Sequence, residues 1–344
     1  MVFSPLDRQL NLRTRRWSEG LLKLMVWLSG IVDYRTAEQV LRTVGQMTVS
    51  DSSVWRQAQE WGQCFRAIAE AERIRGTVLA GRWGKPCRET EMKGRMGVAL
   101  DGSMVHILEE GWKEVKIGSV FDVEVRPTRD GETGEWVEWA HAVNNSYVAH
   151  LGGPEVLGQM AWAEASRRGW ERATDTQVLG DAAAWIWNLA VEHFYDSQQT
   201  VDWGHAVEHL AAAGCLLKGE GTLAYTRWLN DRKTVLFEGH AARIAQELAE
   251  AMPDHPVHAD MLHTAANYFL KNQRRMNYQQ MREDGWPIGS GMVESAAKQF
   301  KARFTGPGMR WSRPGAERLL PVRAAIMGHR FDELWPEAYN SPPT

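Results

Sequence analysis

Residues 179–187 read LGDAAAWIW and residues 200–205 read TVDWGH. In each stretch an apolar run ends on an aspartate, and a helix-forming segment follows. Each run therefore predicts a short buried strand that leads directly into a helix. Two such units in succession predict an α/β fold with Asp181 and Asp202 at the ends of neighbouring strands.

Upstream of these two units the hydrophobic pattern alternates with a period of two, as in half-buried strands. We expect strands at residues 96–100, 104–107, 112–125 and 146–150, with Asp101-Gly102 as a turn between the first two. Helices are expected at residues 153–168, 182–194 and 204–217, and short strands at 177–180 and 199–202. The whole pattern predicts a mixed sheet flanked by helices.

Two regions carry helical patterns without a strand signal, residues 1–92 and 206–285. In the first region Gly45 interrupts a helical stretch, and Ser50 is a suitable N-cap for the next helix. Such a pair is either a plain helical hairpin or a helix-turn-helix whose second helix enters the major groove of DNA. In the second case the exposed residues that contact DNA would be Ser52, Ser53, Arg56 and Gln57. The polar residues 82–93 read as a linker.

Composition excludes several classes of protein. The three cysteines among 344 residues form no CxxC pair, which argues for a reducing compartment and against a disulfide framework or cysteine-bound zinc. No apolar run approaches the roughly 18 residues of a membrane span, and residues 1–16 are too polar for a signal peptide. We therefore expect a cytoplasmic protein without a membrane partner. The net charge of -3 gives no global sign of nucleic-acid binding.

Positive charge is nevertheless concentrated in two short segments. The N-terminal one contains Arg8, Arg13, Arg15 and Arg16. In the C-terminal one Glu317 is the only acid among seven cations, which are Lys298, Lys301, Arg303, Arg310, Arg313, Arg318 and Arg323. Such clusters are either solvated surface or phosphate-binding sites. The C-terminal cluster favours the second interpretation because it adjoins Glu294.

Two further acids complete a candidate site. Asp101 follows a strand-like segment, and Glu294 lies on a predicted helix that Ser290 can cap. Mg²⁺ prefers carboxylate and water ligands, and two Mg²⁺ ions about 3.5–4 Å apart can activate the oxygen nucleophile and neutralise the phosphate in phosphodiester chemistry. Three carboxylates on separate elements suffice to hold them. Asp101, Asp181 and Glu294 fit that arrangement.

These residues also resemble the motifs of DDE transposases from bacterial insertion sequences, broadly of the Mutator type. The resemblance covers about residues 20–330. The matching stretches are Ala99-Leu100-Asp101-Gly102, Gly180-Asp181-Ala182-Ala183, Asp202-Trp203-Gly204-His205 and Gly289-Ser290-Gly291 through Glu294. The third matches the C/D-x-x-H signature of Mutator-type and hAT-type enzymes. The second departs from the more common Asp-Gly-Ala, since Ala182 replaces the glycine.

The resemblance implies a ribonuclease H-like core at residues 93–205 that residues 286–344 complete, with an N-terminal helical region at 1–92 and an all-helical insertion at 206–285. It implies metal-dependent cleavage at transposon ends followed by strand transfer, with Mg²⁺ or Mn²⁺ as cofactor. The expected partner is double-stranded DNA, bound by a homodimer or larger assembly at the bacterial nucleoid. The expected DNA-binding residues are Lys298, Lys301, Arg303, Arg310, Arg313 and Arg56.

Several alternatives stay open at this point. Asp202 and His205 either support the site by bonding to each other, or His205 contacts DNA, or Asp202 is a fourth metal ligand. An inactive transposase-derived DNA-binding protein and a hydrolysis-only nuclease would share the same motifs. A glycoside hydrolase would also use paired carboxylates and many tryptophans, but without a metal. Related transposases carry more sequence ahead of the helical region, so an N-terminally truncated copy is a further expectation.

Overall fold

The computed structural model describes residues 17–80, 93–129, 134–251, 256–306 and 309–341. The N-terminal arginine cluster and nearly all of the predicted linker at 82–93 lie outside these ranges.

A five-stranded mixed sheet runs through the molecule in the order β3-β2-β1-β4-β5. Its strands are β1 (Met96–Ile107), β2 (Gly111–Arg129), β3 (Trp136–Leu151), β4 (Thr176–Gly180) and β5 (Gln198–Val201). Strands β1, β2 and β3 are antiparallel neighbours, whereas β4 is parallel to β1 and β5 is parallel to β4. The prediction of an α/β protein with a mixed sheet is confirmed.

The predicted turn at Asp101-Gly102 is wrong, because β1 is one continuous strand. Its pairing with β2 runs without interruption from Met96 opposite Asp122 to Ile107 opposite Gly111. A complete antiparallel ladder overrides the local preference of an Asp-Gly pair for a turn. The predicted strand at 146–150 is likewise only the last part of the longer β3.

Helices surround the sheet on both faces. Three precede it, α1 (Glu19–Ile31), α2 (Tyr34–Thr43) and α3 (Asp51–Ala80). Three follow individual strands, α4 (Pro154–Arg167), α5 (Ala184–His193) and α6 (Trp203–Lys218). The rest are α7 (Leu223–Phe237), α8 (Ala241–Glu250), α9 (Pro256–Asn272), α10 (Tyr278–Glu283), α11 (Gly291–Phe304), α12 (Arg313–Met327) and α13 (Phe331–Asn340). In the described part of residues 206–285 there is no strand, as predicted.

Two hydrophobic clusters cover the two faces of the sheet. Alternate residues of β1 point to opposite faces, so Ala99 belongs to one cluster and Val98 to the other. The Ala99 cluster also takes in α1, α3, α11, α12 and α13. The Val98 cluster takes in α4, α5, α6 and the helices of the predicted insertion. Each predicted helical region therefore shares its apolar core with the sheet.

The predicted helix pair near the N-terminus is present as α2 and α3. The Ser53 amide donates to Ser50 Oγ (3.3 Å), as the predicted N-cap requires, and Val54, Ala58 and Trp61 form a buried stripe on α3. However, α3 is 30 residues long rather than a short recognition helix. Its Trp61 ring stacks on Tyr339 of α13, which ties α3 to the body of the protein. Base readout by this pair stays a prediction.

In the ranges that the structure describes, no helix is both long enough and apolar enough to cross a membrane.

Candidate active site

Three aspartates lie at the carboxyl ends of the parallel strands β4 and β5 and at the neighbouring position of β1, and we call this end of the parallel strands the edge that carries the site. The parallel register places Leu100 beside Gly180 and Gly180 beside Val201. The next residue on each strand is an aspartate, Asp101, Asp181 or Asp202. Because parallel strands are in step, the three carboxylates start from adjacent positions of the backbone.

Asp101 and Asp181 come two residues after strand positions that face α11. Side chains two residues apart on a strand share a face, and Ala99 and Leu179 stand two residues before Asp101 and Asp181. Both belong to the hydrophobic cluster that contains Val293 and Phe300 of α11. The helix that carries Glu294 therefore packs directly over this edge.

The Gly289-Ser290-Gly291 stretch sets the start of α11, although not in the predicted way. The Ser290 hydroxyl does not cap the helix. It donates instead to Glu294 Oε1 (3.2 Å), while Lys298 Nζ lies 3.9 Å from Glu294 Oε2. Ser290 thus orients the glutamate side chain, and Lys298 pairs with it from one helical turn further along α11.

The electrostatics of Asp101 show that the acids are close together. Burial raises the pKa of the Asp101 carboxyl group to about 6, against a hydrogen bond from the Gly102 amide that lowers it. The negative charges of Asp181 and Glu294 raise this pKa further, and His205 lowers it. A buried carboxyl group with two acidic neighbours is a place where a bound cation would offset negative charge.

Asp202 is buried (1% exposed) and joins three elements. Its Oδ1 accepts from the His205 amide (2.7 Å) and lies 3.2 Å from His205 Nδ1, and its Oδ2 accepts from the Ser290 amide. Its own amide donates to Gly180 O (2.8 Å). Burial acts to raise the pKa of Asp202, but the hydrogen bonds from His205 and Ser290 hold it below its ordinary value. Asp202 therefore clamps β4, α6 and the start of α11 together.

His205 is a cation at neutral pH. The hydrogen bond with Asp202 raises its pKa to about 9, and the charges of Asp202 and Asp181 act in the same direction against burial. The imidazolium stands beside the acid cluster and balances part of its negative charge.

One set of potential ligand atoms in the described part of the chain is compact enough for a single ion. Asp202, His205 and Glu294 each offer an atom within 4.8 Å of the others. Both oxygens of Asp202 already accept hydrogen bonds, so a cation there would have to use their remaining lone pairs. Asp101 and Asp181 lie outside this compact group. Two ions about 3.5–4 Å apart need carboxylates that are spread more widely than one ion does.

Asp101 and Asp181 each retain an oxygen for a ligand. Asp101 Oδ1 accepts from the Gly102 amide (2.7 Å), and Asp181 Oδ1 accepts from the Ala183 amide (2.9 Å). Within the described residues no protein donor contacts the second oxygen of either carboxylate. These local bonds fix both side chains without consuming their capacity to bind a cation.

The residue that follows Asp181 has a strained backbone. Ala182 adopts φ 76°, a left-handed value that favours glycine over residues with a Cβ. The departure from Asp-Gly-Ala noted in the sequence therefore falls at a position where the backbone suits glycine.

The predicted insertion contributes a wall of the site. His209, one helical turn after His205 on α6, stacks on Tyr268 of α9 with ring centroids 3.8 Å apart. Burial raises the pKa of Tyr268, and the nearby carboxylates of Asp181 and Asp202 raise it further. Sequence analysis missed both residues. The i, i+4 spacing of His205 and His209 was the available signal, but nothing in the sequence pairs α6 with α9.

The predicted DNA-binding residues occupy different environments. Lys298 is 80% exposed at its side chain, and Lys301, Arg310 and Arg56 are also exposed. Arg313 is held by Glu110, with Nε 2.7 Å from Oε1 and Nη2 2.6 Å from Oε2.

Arg303 is a structural residue, which corrects the expectation that it contacts phosphate. It is 2% exposed, and its Nε donates to Ser29 O of α1 (2.7 Å). Its guanidinium lies over the rings of Tyr34 and Trp311. The basic character of the segment suggests a surface cluster. Arg303 is buried instead because it lies on the side of α11 that packs into the core, next to Phe300 and Phe304.

No protein-family model matches the chain, and a search of curated proteins finds no match.

Proposed function

We propose that this chain is a DDE transposase that cleaves DNA at transposon ends and transfers the freed strand to a target. The observation that carries the proposal is that the charges of Asp181, directly after β4, and Glu294, on α11, both act on the buried carboxyl group of Asp101 in β1. The mixed sheet flanked by helices is compatible with the ribonuclease H-like core that the sequence resembles. Such a protein would act at the bacterial nucleoid.

The donor set fits Mg²⁺, with Mn²⁺ as a substitute. Asp101, Asp181 and Glu294 supply only carboxylate oxygens, the ligands that hard divalent cations prefer. Burial is the main cause of the raised pKa of Asp101, the charges of Asp181 and Glu294 add to it, and a bound cation would favour the ionised carboxylate. When bound, two such ions would activate the attacking oxygen and stabilise the leaving one.

The remaining polar residues would position these ligands and the DNA. Asp202 holds the start of α11 in place through the Ser290 amide, and Ser290 orients Glu294. The charged His205 imidazole lies beside the acids, where it can contact a phosphate oxygen. Lys298 and Lys301 continue along the exposed face of the same helix and would bind the backbone of double-stranded DNA. A dimer or larger assembly would be needed to bring two ends together.

Strand transfer tests this proposal directly. The DNA that flanks the gene is first searched for terminal inverted repeats, and the two ends found there serve as substrate with Mg²⁺. Asp181→Asn should abolish cleavage and joining, because the amide removes one anionic ligand. Asp196→Asn is the matched control, since Asp196 is an exposed residue beyond α5 and should leave activity unchanged.

The other outcomes separate the alternatives. Equal activity of wild type and Asp181→Asn would contradict the catalytic assignment. Binding of the ends without cleavage by either protein would favour an inactive DNA-binding relative, and cleavage without joining would favour a nuclease. Glycosidase activity that survives EDTA would contradict the transposase proposal and favour a glycoside hydrolase, since that chemistry needs no metal.

A further inference from the structure

A groove of about 1120 Å³ lies beside the acid cluster. One wall is the outer part of β3 around Trp139, and the other is α7 around Lys233 and Phe237. Its volume exceeds the roughly 300–1,000 Å³ of small-molecule sites. The occupant is therefore expected to be larger than a metabolite.

The groove shares residues with the candidate active site. Gly289 and Gly291 line it, and between them stands Ser290, which contacts both Asp202 and Glu294. Trp203, which follows Asp202 directly, also lines it. A Cβ built on Gly291 would meet nothing within 4 Å, so this end of the groove is open toward α11. An occupant of the groove would continue toward the acid cluster.

The charge of the lining is positive. Lys233 and Arg282 contribute to it, and the described lining contains no aspartate or glutamate. This is notable in a chain with 43 acidic and 40 basic residues. Lys233 has no ion-pair partner within the described ranges, so its charge is available to a ligand. The groove is therefore complementary to an anionic chain.

The width of the groove excludes a duplex. The Arg282 guanidinium lies 4.4 Å from the Trp139 ring and 5.1 Å from the Phe237 ring, which belong to opposite walls. The two rings are thus less than about 10 Å apart, which is less than the diameter of a DNA duplex. The Arg282 guanidinium lies between them, so a single strand would run along the groove with its phosphates near this cation and its bases on the exposed parts of the rings.

The aromatic residues suit unpaired bases. Trp139, Trp203 and Phe237 are each only partly buried, so part of every ring faces the groove. Trp203 and Phe237 meet edge to face at 5.8 Å, which fixes the orientation of both rings. Aromatic faces bind bases of any sequence by stacking, and neighbouring cations bind the phosphates.

We propose that this groove binds an unpaired DNA strand several nucleotides long and directs it to Asp101, Asp181 and Glu294. The choice of DNA rests on the proposed transposase function. The proposal makes the predicted insertion part of the substrate site. Its helix α7 forms one wall of the groove, and its helix α10 supplies the cation Arg282.

Binding is measured by fluorescence anisotropy with a labelled single strand of about 12 nucleotides and with a hairpin duplex of the same composition. Asp181→Asn protein in EDTA prevents any cleavage. The single strand should bind more tightly than the duplex. Phe237→Ala and Lys233→Gln should each weaken single-strand binding by about 5- to 100-fold. Tighter binding of the duplex, or equal affinity of all variants, would overturn the proposal.

Trp112→Ala and Lys113→Gln are the matched controls, because Trp112 is exposed and Lys113 is half-exposed at the far end of β2. They should leave the affinity unchanged. Ultraviolet cross-linking of a bromodeoxyuridine-containing strand to the unaltered protein removes the dependence on variant folding. Cross-links should map to Trp139, Trp203 or Phe237, and cross-links confined to other segments would refute the assignment. Tighter binding of an acidic peptide than of the single strand in the anisotropy measurement would also refute it.

The two proposals fail in distinguishable ways. Single-strand binding in the groove without strand transfer would leave the groove assignment standing and contradict the transposase. Strand transfer that persists in Phe237→Ala and Lys233→Gln, with no single-strand binding, would leave the transposase proposal standing and contradict the groove assignment.

Discussion

Asp101 combines burial with two neighbouring acids, and this has a measurable cost in stability. Its pKa of about 6 in the folded protein is above its unfolded value of 3.8. A carboxyl group with a raised pKa favours folding below the unfolded pKa, and this contribution is lost as the pH rises through about 6. Above that pH the charged, unliganded Asp101 opposes folding.

Asp101→Asn should therefore stabilise the metal-free protein while abolishing catalysis. At about pH 7.5 in EDTA, urea unfolding should show a gain of about 1–3 kcal/mol over wild type. At about pH 4.5 the gain should shrink below about 1 kcal/mol, because the folded wild-type carboxyl group is then protonated. A loss of stability at the higher pH would contradict the proposed crowding of carboxylates.

Ala182 supplies a second residue-scale prediction. The left-handed φ of 76° costs about 1–2 kcal/mol for a residue with a Cβ, and glycine loses about 0.4–1 kcal/mol through its more flexible unfolded state. Ala182→Gly should therefore raise the free energy of unfolding by about 0.5–1 kcal/mol. Ala184→Gly, at the first residue of α5, is the control and should lower it. Urea unfolding of wild type and both variants measures the two changes in the free energy of unfolding. A decrease in both variants would argue against strain at Ala182.

At the scale of elements, the contact of α3 with α12 depends on a glycine. A Cβ added at Gly62 would lie 2.6 Å from the Arg318 carbonyl oxygen, which is backbone and has no rotamer to change. The long α3 therefore approaches α12 more closely than larger residues allow, and this contact joins the N-terminal helices to the C-terminal ones.

Gly62→Ala should lower the free energy of unfolding by about 1–3 kcal/mol despite the better helix propensity of alanine. Gly20→Ala is the control, because a Cβ at Gly20 in α1 meets nothing within 4 Å. That variant should be neutral or slightly more stable. Thermal unfolding of the two proteins side by side tests the packing, and a neutral Gly62→Ala would mean that the helices separate easily.

At the scale of the whole molecule, the two hydrophobic clusters lie on opposite faces of one sheet and both contain residues of β1. Neither cluster belongs to a single predicted segment. The predicted insertion at 206–285 begins and ends at neighbouring points. The Trp203 amide, just before it, donates to Ile288 O, just after it (2.9 Å).

We therefore expect residues 206–285 to unfold together with the sheet. Hydrogen–deuterium exchange across a urea series should show that peptides from α6 and α9 lose protection at the same urea concentration as peptides from β1. Loss of protection in α6 and α9 at a lower concentration, with β1 still protected, would instead indicate an independent domain.

Local patterns in the sequence were sufficient for the strand–helix units at Asp181 and Asp202, the all-helical stretch and the helix that carries Glu294, because hydrophobic periodicity indicates the type of element. They were misleading at Asp101-Gly102, where a turn-forming pair lies within a long strand. Pairing with β2 along the whole of β1 decides that conformation, and no local preference encodes it.

The amino-acid sequence by itself determined which acids are candidates and on which kinds of element they stand. Only the tertiary structure decided that the charges of Asp181 and Glu294 act on Asp101, that Asp202 joins three elements, and that Arg303 is buried. The reason is that each of these facts depends on contacts between segments far apart in the chain, such as Asp202 with Ser290 and Arg303 with Ser29. Spacing along the chain specifies faces and ends, whereas packing specifies neighbours.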